Sequence, residues 1–84
     1  MIDMENEINY EKLKKLVYPA LNSKIKEMYS FGYYYIKQDD IWDLLLEKIW
    51  YKKDNISLFD IVNDILNYSN EKIYDYYIEK KVNN

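Results

Sequence analysis

Few residues in this 84-residue chain have the types and spacing that catalysis requires. The adjacent carboxylates Asp39 and Asp40 could serve acid–base chemistry or hold a cation, and Ser23 beside Lys24 places a hydroxyl next to a base. The chain has no histidine and no cysteine, so the commonest general base and the commonest intracellular nucleophile are absent. The sequence therefore predicts a non-enzymatic protein with no catalytic residue, no metal site and no cofactor.

Base stacking is a second kind of chemistry that the residue types allow. The run Trp50-Tyr51-Lys52-Lys53 joins aromatic faces to lysines, as single-strand-binding surfaces do, and the Tyr33–Tyr35 stretch could lie beside it. The alternative is that Trp50 belongs to the core and the lysines are solvated. If RNA is contacted, the candidate residues are Trp50, Tyr51, Lys52, Lys53, Tyr33, Tyr34 and Tyr35.

The charge of the chain opposes nucleic-acid binding. The net charge is −3, with nine acids and nine lysines in residues 1–53 but six acids and three lysines in residues 54–84. Phosphate contacts dominate nucleic-acid affinity, and the absence of arginine removes bidentate phosphate recognition. The segments 38–51 and 58–68 could form a helix-turn-helix, but the second contains no basic side chain. A protein contact is therefore favoured over RNA, and DNA reading is disfavoured.

Four residues are candidates for a protein interface, each with a structural alternative. Trp42 could anchor a partner or complete the core, since exposed tryptophans are frequent hot spots. Asn63 and Asp64 interrupt an apolar stripe, and they could equally be ordinary solvated helix positions. Tyr74 belongs to an aromatic stripe on the last helix that could serve a partner protein or a homodimer.

Apolar side chains recur at three- and four-residue spacing, which predicts an all-α fold of three to four packed helices. We expect residues 1–84 to form one helical domain. The first helix should run from near Glu7 to about Phe31 and be kinked or split at Pro19, which removes a backbone donor. Gly32, the only glycine, follows the last periodic residue, where a left-handed helix end is expected.

Three further helices complete the predicted fold. One runs from about Gln38 to Tyr51, with two acids in its first turn to meet the positive end of the helix dipole. Another begins after Ser57, which can form a capping box with Asp60. Its buried face should comprise Leu58, Ile61, Val62, Ile65 and Leu66. The last helix runs from about Asn70 to Lys81, and residues 1–6 and 82–84 should fray.

No apolar run approaches the roughly 20 residues that a membrane helix needs. The first residues are acidic and lack the basic start and apolar stretch of a signal peptide. We therefore expect a cytoplasmic protein that does not insert into a membrane.

An ordered set of features between Pro19 and Tyr77 carries a family resemblance. The set comprises Pro19, Leu21, Ser23-Lys24, Glu27, Gly32-Tyr33, Asp39-Asp40-Ile41-Trp42, Leu45, Lys48, Trp50, Lys52-Lys53, Val62-Asn63-Asp64-Ile65, Tyr74 and Tyr77. In this order it resembles the small post-transcriptional regulators linked to competence control in low-GC Gram-positive bacteria. One departure stands before Asp39, where a Ser or Thr cap is expected and the chain has Lys37-Gln38.

The resemblance implies a small cytoplasmic factor that affects messenger RNA after transcription. It leaves open whether the factor contacts RNA directly or through a protein partner. The alternative function is a small helical adaptor between proteins, with no nucleic-acid contact.

Overall fold

The computed structural model describes residues 9–83 of the chain. Its five α-helices are α1 (Tyr10–Leu16), α2 (Tyr18–Ser30), α3 (Gln38–Lys48), α4 (Leu58–Asn67) and α5 (Asn70–Val82), and a short 3₁₀ turn at Trp50–Lys52 follows α3. Residues 9–83 contain no strand, so the prediction of an all-α fold is confirmed. The predicted count of three to four helices is wrong, because the first predicted helix is two separate helices.

The break between α1 and α2 lies at Val17, whose ψ of 11° departs from helical geometry and whose side chain is buried in the core. Pro19 stands in the first turn of α2, where its missing N–H costs little. The helix therefore breaks two residues before the proline and not at it. The predicted start near Glu7 and the predicted fraying of residues 1–6 and 84 lie outside the described residues, and Val82 is the last residue of α5.

Gly32 ends α2 as the sequence predicts. Its φ is +96°, a left-handed conformation that suits a residue without a Cβ. The Gly32 N–H donates to the carbonyl of Tyr29 at 3.0 Å, and the Tyr33 N–H donates to the carbonyl of Met28 at 2.9 Å. This pair of bonds is a Schellman motif, which satisfies the last carbonyls of the helix and turns the chain toward α3.

The start of α3 has only half of a capping box. The Asp40 carboxylate accepts from the backbone N–H of Lys37 at 2.8 Å. Lys37 is the N-cap residue, and its ammonium can donate but cannot accept from the first turn. The expected Ser or Thr cap is therefore missing in the structure as well as in the sequence.

Side chains cap the starts of α4 and α5 in full. Ser57 Oγ accepts from the Asp60 N–H at 3.0 Å, and the Asp60 carboxylate accepts from the Ser57 N–H at 3.3 Å. Ser69 Oγ accepts from the Lys72 N–H at 3.2 Å in the same way. These caps confirm the predicted helix starts at residues 57–60 and 69–70.

One core joins the helices, with α2 packed on α3 and α4, and α3 packed on α5. Its buried apolar side chains are Val17, Leu21, Met28, Ile36, Ile41, Trp42, Leu44, Leu45, Trp50, Ile61, Ile65, Ile73 and Tyr76. Within residues 9–83, no helix combines the length and the apolarity that crossing a bilayer requires.

Candidate interaction surfaces

Both tryptophans lie inside the protein. Trp42 is 3% exposed and Trp50 is 0% exposed, and their rings pack edge to face with centroids 5.0 Å apart. The ring of Tyr10 packs edge-on against Trp42 at 6.3 Å. A buried ring offers no face to a base or to a partner. The prediction of Trp50 as an RNA-contacting residue is therefore wrong, and so is that of Trp42 as an interface anchor. Both residues belong to the core.

Asp64 holds Trp50 in place. The indole Nε1 of Trp50 donates to Asp64 Oδ2 at 2.9 Å, which gives the buried N–H the acceptor it needs. Asn63 is exposed, and its backbone carbonyl and side-chain oxygen both accept from the Asn67 amide at 2.9 Å. Asp64 is thus a structural residue, whereas Asn63 is on the surface of α4 and remains an interface candidate.

Lys24, which the sequence offered only as a base beside Ser23, has a structural role that sequence reasoning missed. It is only 2% exposed, and its Nζ donates to the carbonyl of Tyr68 at 2.7 Å, to that of Leu66 at 3.3 Å and to Glu27 at 3.3 Å. A positive charge at the end of α4 compensates carbonyls that have no partner within the helix. The available signal was its position three residues after Leu21 and four before Met28, both in the apolar stripe.

Glu27 extends this contact from α2 to α5. Its carboxylate accepts from the Asn70 amide at 2.9 Å as well as from Lys24. The hydrogen bond from Asn70, followed by that from Lys24, lowers the pKa of Glu27 below its ordinary value. Lys24 and Glu27, which carry part of the family resemblance, thus connect three helices, whereas Ser23 is exposed on α2.

The tyrosines of the α2–α3 linker divide between the interior and the surface. Tyr33 is half-buried against Tyr74, with ring centroids 5.0 Å apart, and Tyr74 in turn lies 6.1 Å from Tyr77. Tyr74 is therefore half-buried in a row of rings, which leaves a limited part of it for a partner. Tyr33 has the same limit as a platform for RNA bases.

Tyr34 and Tyr35 are exposed, and Tyr34 packs edge-on against Tyr29 at 4.8 Å. These two linker residues keep accessible rings, so they remain candidates for base stacking. Phe31, at the end of α2, is a third exposed aromatic residue and lies three positions before Tyr34 in the sequence.

Tyr51, Lys52 and Lys53 are exposed after α3, with Lys52 Nζ 5.6 Å from the centroid of the Tyr51 ring. They remain candidates for RNA contact. They follow α3 while the tyrosine linker precedes it, and eleven helical residues span about 16 Å. The two groups of candidates therefore lie at opposite ends of α3 and do not form the continuous surface that the sequence suggested.

Two acids of α3, Asp39 and Glu47, have side-chain partners. Asp39 pairs with Lys14, and this hydrogen bond raises the pKa of Lys14. Tyr76 Oη donates to Glu47 Oε1 at 2.8 Å. Burial, together with that bond, raises the pKa of Tyr76, and the bond lowers the pKa of Glu47. Within the described part of the chain, no group of three or more acidic side chains is arranged to hold a metal ion.

One face of α4 is apolar and is left exposed by the described part of the chain. Only Ile61 and Ile65 are fully buried, whereas Leu58 and Leu66 are exposed and Val62 is partly buried. The prediction that all five form a buried face is therefore wrong for Leu58 and Leu66. Phe59, which sequence reasoning did not single out, is 75% exposed on the same helix.

Among the described residues, the exposed groups include large apolar and aromatic side chains beside lysines and acids, which together can form a binding surface. Residues 10–83 match the family model described as "Post-transcriptional regulator", and the chain belongs to that family. The resemblance stated from the sequence is thereby confirmed.

A curated relative gives the same description. The chain is 36% identical over 53 residues to the post-transcriptional regulator ComN of Bacillus subtilis (strain 168). The aligned region covers 63% of this chain and 54% of that protein, so the chain matches about half the length of its relative. No solved structure shows significant similarity to the chain.

Proposed function

We propose that the chain regulates gene expression after transcription by binding and not by catalysis, acting on mRNA in a competence-type setting. Family membership supports regulation after transcription. The observation that carries the binding mode is the uncovered apolar face of α4, with Phe59 75% exposed. Such a face is costly in water unless a partner covers it, and the net charge of −3 favours a protein as that partner.

Direct RNA contact is a second candidate, favoured by one specific observation. Tyr51 carries an exposed ring with Lys52 over it, and Lys53 follows. A ring beside an ammonium is the local chemistry that holds a stacked base and its phosphate. The exposed Tyr34 and Tyr35 would have to act separately, because α3 lies between the two groups. The remaining alternative is an adaptor that contacts proteins alone.

The test compares cells that encode the chain with cells in which it is deleted. We expect a subset of transcripts to change in half-life or in protein yield per transcript, while their transcription rates stay constant. A change confined to transcription rates, or no change in any transcript, would contradict the proposal. Ultraviolet crosslinking of the tagged chain then separates the modes, because recovered RNA supports direct contact and a recovered protein without RNA supports docking.

A further inference from the structure

The apolar arc of α4 is wider than its contact with the core. Successive helical residues are about 100° apart, so Phe59, Val62 and Leu66 share a face beside the one that carries Ile61 and Ile65. The two isoleucines are fully buried, while Phe59 and Leu66 are exposed. With Leu58, these residues form what we call the α4 apolar face, which contains no charged side chain. Such a face is expected where a second helix packs.

The charged side chains of α4 and of the residues that flank it in sequence are acidic, and none of them forms an ion pair with a lysine of the described chain. From Asp54 to Glu71 the chain has four acids, the other two being Asp60 and Asp64, and no lysine. Among the described residues, the acids within 4 Å of a lysine are Glu27, Asp39 and Glu47, all on α2 or α3. Lys24 reaches the carbonyl end of α4, but it is buried and also contacts Glu27. The exposed charges of residues 54–71 are therefore acidic and would attract a basic partner.

This charge distinguishes between the molecules that could cover the face. A phosphate backbone would be repelled by the acids. A second copy of the chain, packed face to face, would bring the acidic segment 54–71 of one copy near the same segment of the other, and the two would repel each other. A helix with lysines or arginines beside its apolar stripe meets both requirements, because it covers the apolar side chains and its positive charges are attracted by the acids of residues 54–71.

We propose that the α4 apolar face binds an amphipathic helix of a protein partner whose apolar stripe is flanked by lysine or arginine. The proposal rests on the protein-contact form of the proposed function, and it adds the surface and the chemistry of the partner. Phe59 would be the anchor, since a large exposed aromatic side chain gains most from burial at an interface.

Two synthetic 18-residue helical peptides test this. Both carry leucine at helical spacing, one with lysines on the flanks and the other with glutamates at the same positions. Each is titrated into the full chain and into two variants, Phe59→Ala and Phe31→Ala. Phe31 is the matched control, because it is 69% exposed but lies at the end of α2. Thermal melting confirms that both variants are folded.

We expect the lysine peptide to bind the wild-type chain and Phe31→Ala equally, and Phe59→Ala about tenfold more weakly, as for an interface hot spot. The glutamate peptide should bind at least about tenfold more weakly than the lysine peptide. Equal binding of the two peptides, or equal binding to Phe59→Ala and wild type, would overturn the proposal. Two further results would overturn the proposal. One is that the wild-type chain sediments as a dimer and Phe59→Ala does not. The other is that the wild-type chain binds single-stranded RNA and Phe59→Ala does not.

The same variant separates this inference from the proposed function. If deletion of the chain leaves mRNA half-life and protein yield unchanged, the proposed function fails whatever the peptides do. If the chain regulates and Phe59→Ala regulates equally well, the inference about the α4 apolar face fails alone.

Discussion

The indole of Trp50 and the carboxylate of Asp64 are joined by a 2.9 Å hydrogen bond across fourteen residues of sequence. The bond connects the 3₁₀ turn after α3 to the middle of α4. It explains why an acid interrupts the apolar stripe of α4, since the fully buried Trp50 has an N–H that needs an acceptor. Two residues that looked like separate functional candidates are thus one structural unit.

Replacing Asp64 with alanine should destabilise the protein by about 1–3 kcal/mol, because the buried indole N–H loses its acceptor. Asp64→Asn keeps an acceptor oxygen and should cost less. Urea unfolding followed by tryptophan fluorescence measures both. The control is Asn63→Ala on the exposed neighbour, for which we expect a change within about 0.5 kcal/mol. Equal effects at the two positions would contradict the role assigned to Asp64.

Replacing Lys24 with methionine should cost about 1–3 kcal/mol. The carbonyls of Leu66 and Tyr68 lose their donor, although methionine fills most of the space of the lysine stem. The matched control is Lys26→Met, an exposed lysine on the same helix, which we expect to change stability by no more than about 0.5 kcal/mol. Denaturant unfolding of both variants gives the comparison. A Lys24→Met protein as stable as Lys26→Met would show that the buried ammonium is not needed to end α4.

Supplying the cap that α3 lacks should stabilise the chain. Lys37→Ser places a hydroxyl where it can accept from the first turn, while Asp40 already accepts from the residue 37 N–H. We expect a gain of about 0.5–1 kcal/mol in the free energy of unfolding. Lys37→Ala removes the lysine without adding an acceptor and serves as the control. If both variants gain equally, removal of the lysine and not capping is the cause.

The Tyr76–Glu47 pair should make stability depend on pH at both extremes. Because the pKa of Tyr76 is raised, its contribution is present below the ordinary tyrosine value of 10.0 and is lost as the pH rises beyond it. Because the pKa of Glu47 is lowered, its contribution is present above the ordinary value of 4.5 and is lost as the pH falls.

Tyr76→Phe should therefore flatten the stability profile in both ranges and cost about 1 kcal/mol at neutral pH, the value of one hydrogen bond. Chemical unfolding at a series of pH values measures the profile. The exposed Tyr35→Phe is the control. An alkaline loss of stability that persists in full in Tyr76→Phe would show that other groups cause it.

The parts of the fold that the sequence predicted are those fixed by local chemistry. Gly32 ends α2 because a left-handed residue is needed there, and Ser57, Asp60 and Ser69 start helices because their side chains reach N–H groups within three residues. The helix breaks at Val17 and not at Pro19 as the sequence predicts, because a proline is tolerated in the first turn of a helix.

The parts that could not be predicted depend on contacts between distant residues. Lys24 acts on carbonyls more than forty positions away, and the burial of Trp42 and Trp50 depends on how three elements pack together. The periodicity of α4 predicts which side chains lie on its apolar side. It does not predict how many of those side chains the rest of the chain buries. This is why Leu58 and Leu66 were assigned to the core, and why Phe59 was missed.

The most direct test of regulation through a protein contact measures protein yield per transcript in cells that carry one of three chains. These are the wild type, Phe59→Ala, and Lys52→Ala combined with Lys53→Ala. We predict that Phe59→Ala loses regulation while the lysine variant keeps it. Loss of regulation in the lysine variant, with Phe59→Ala behaving as wild type, would contradict protein docking and place direct RNA contact at the centre of the function.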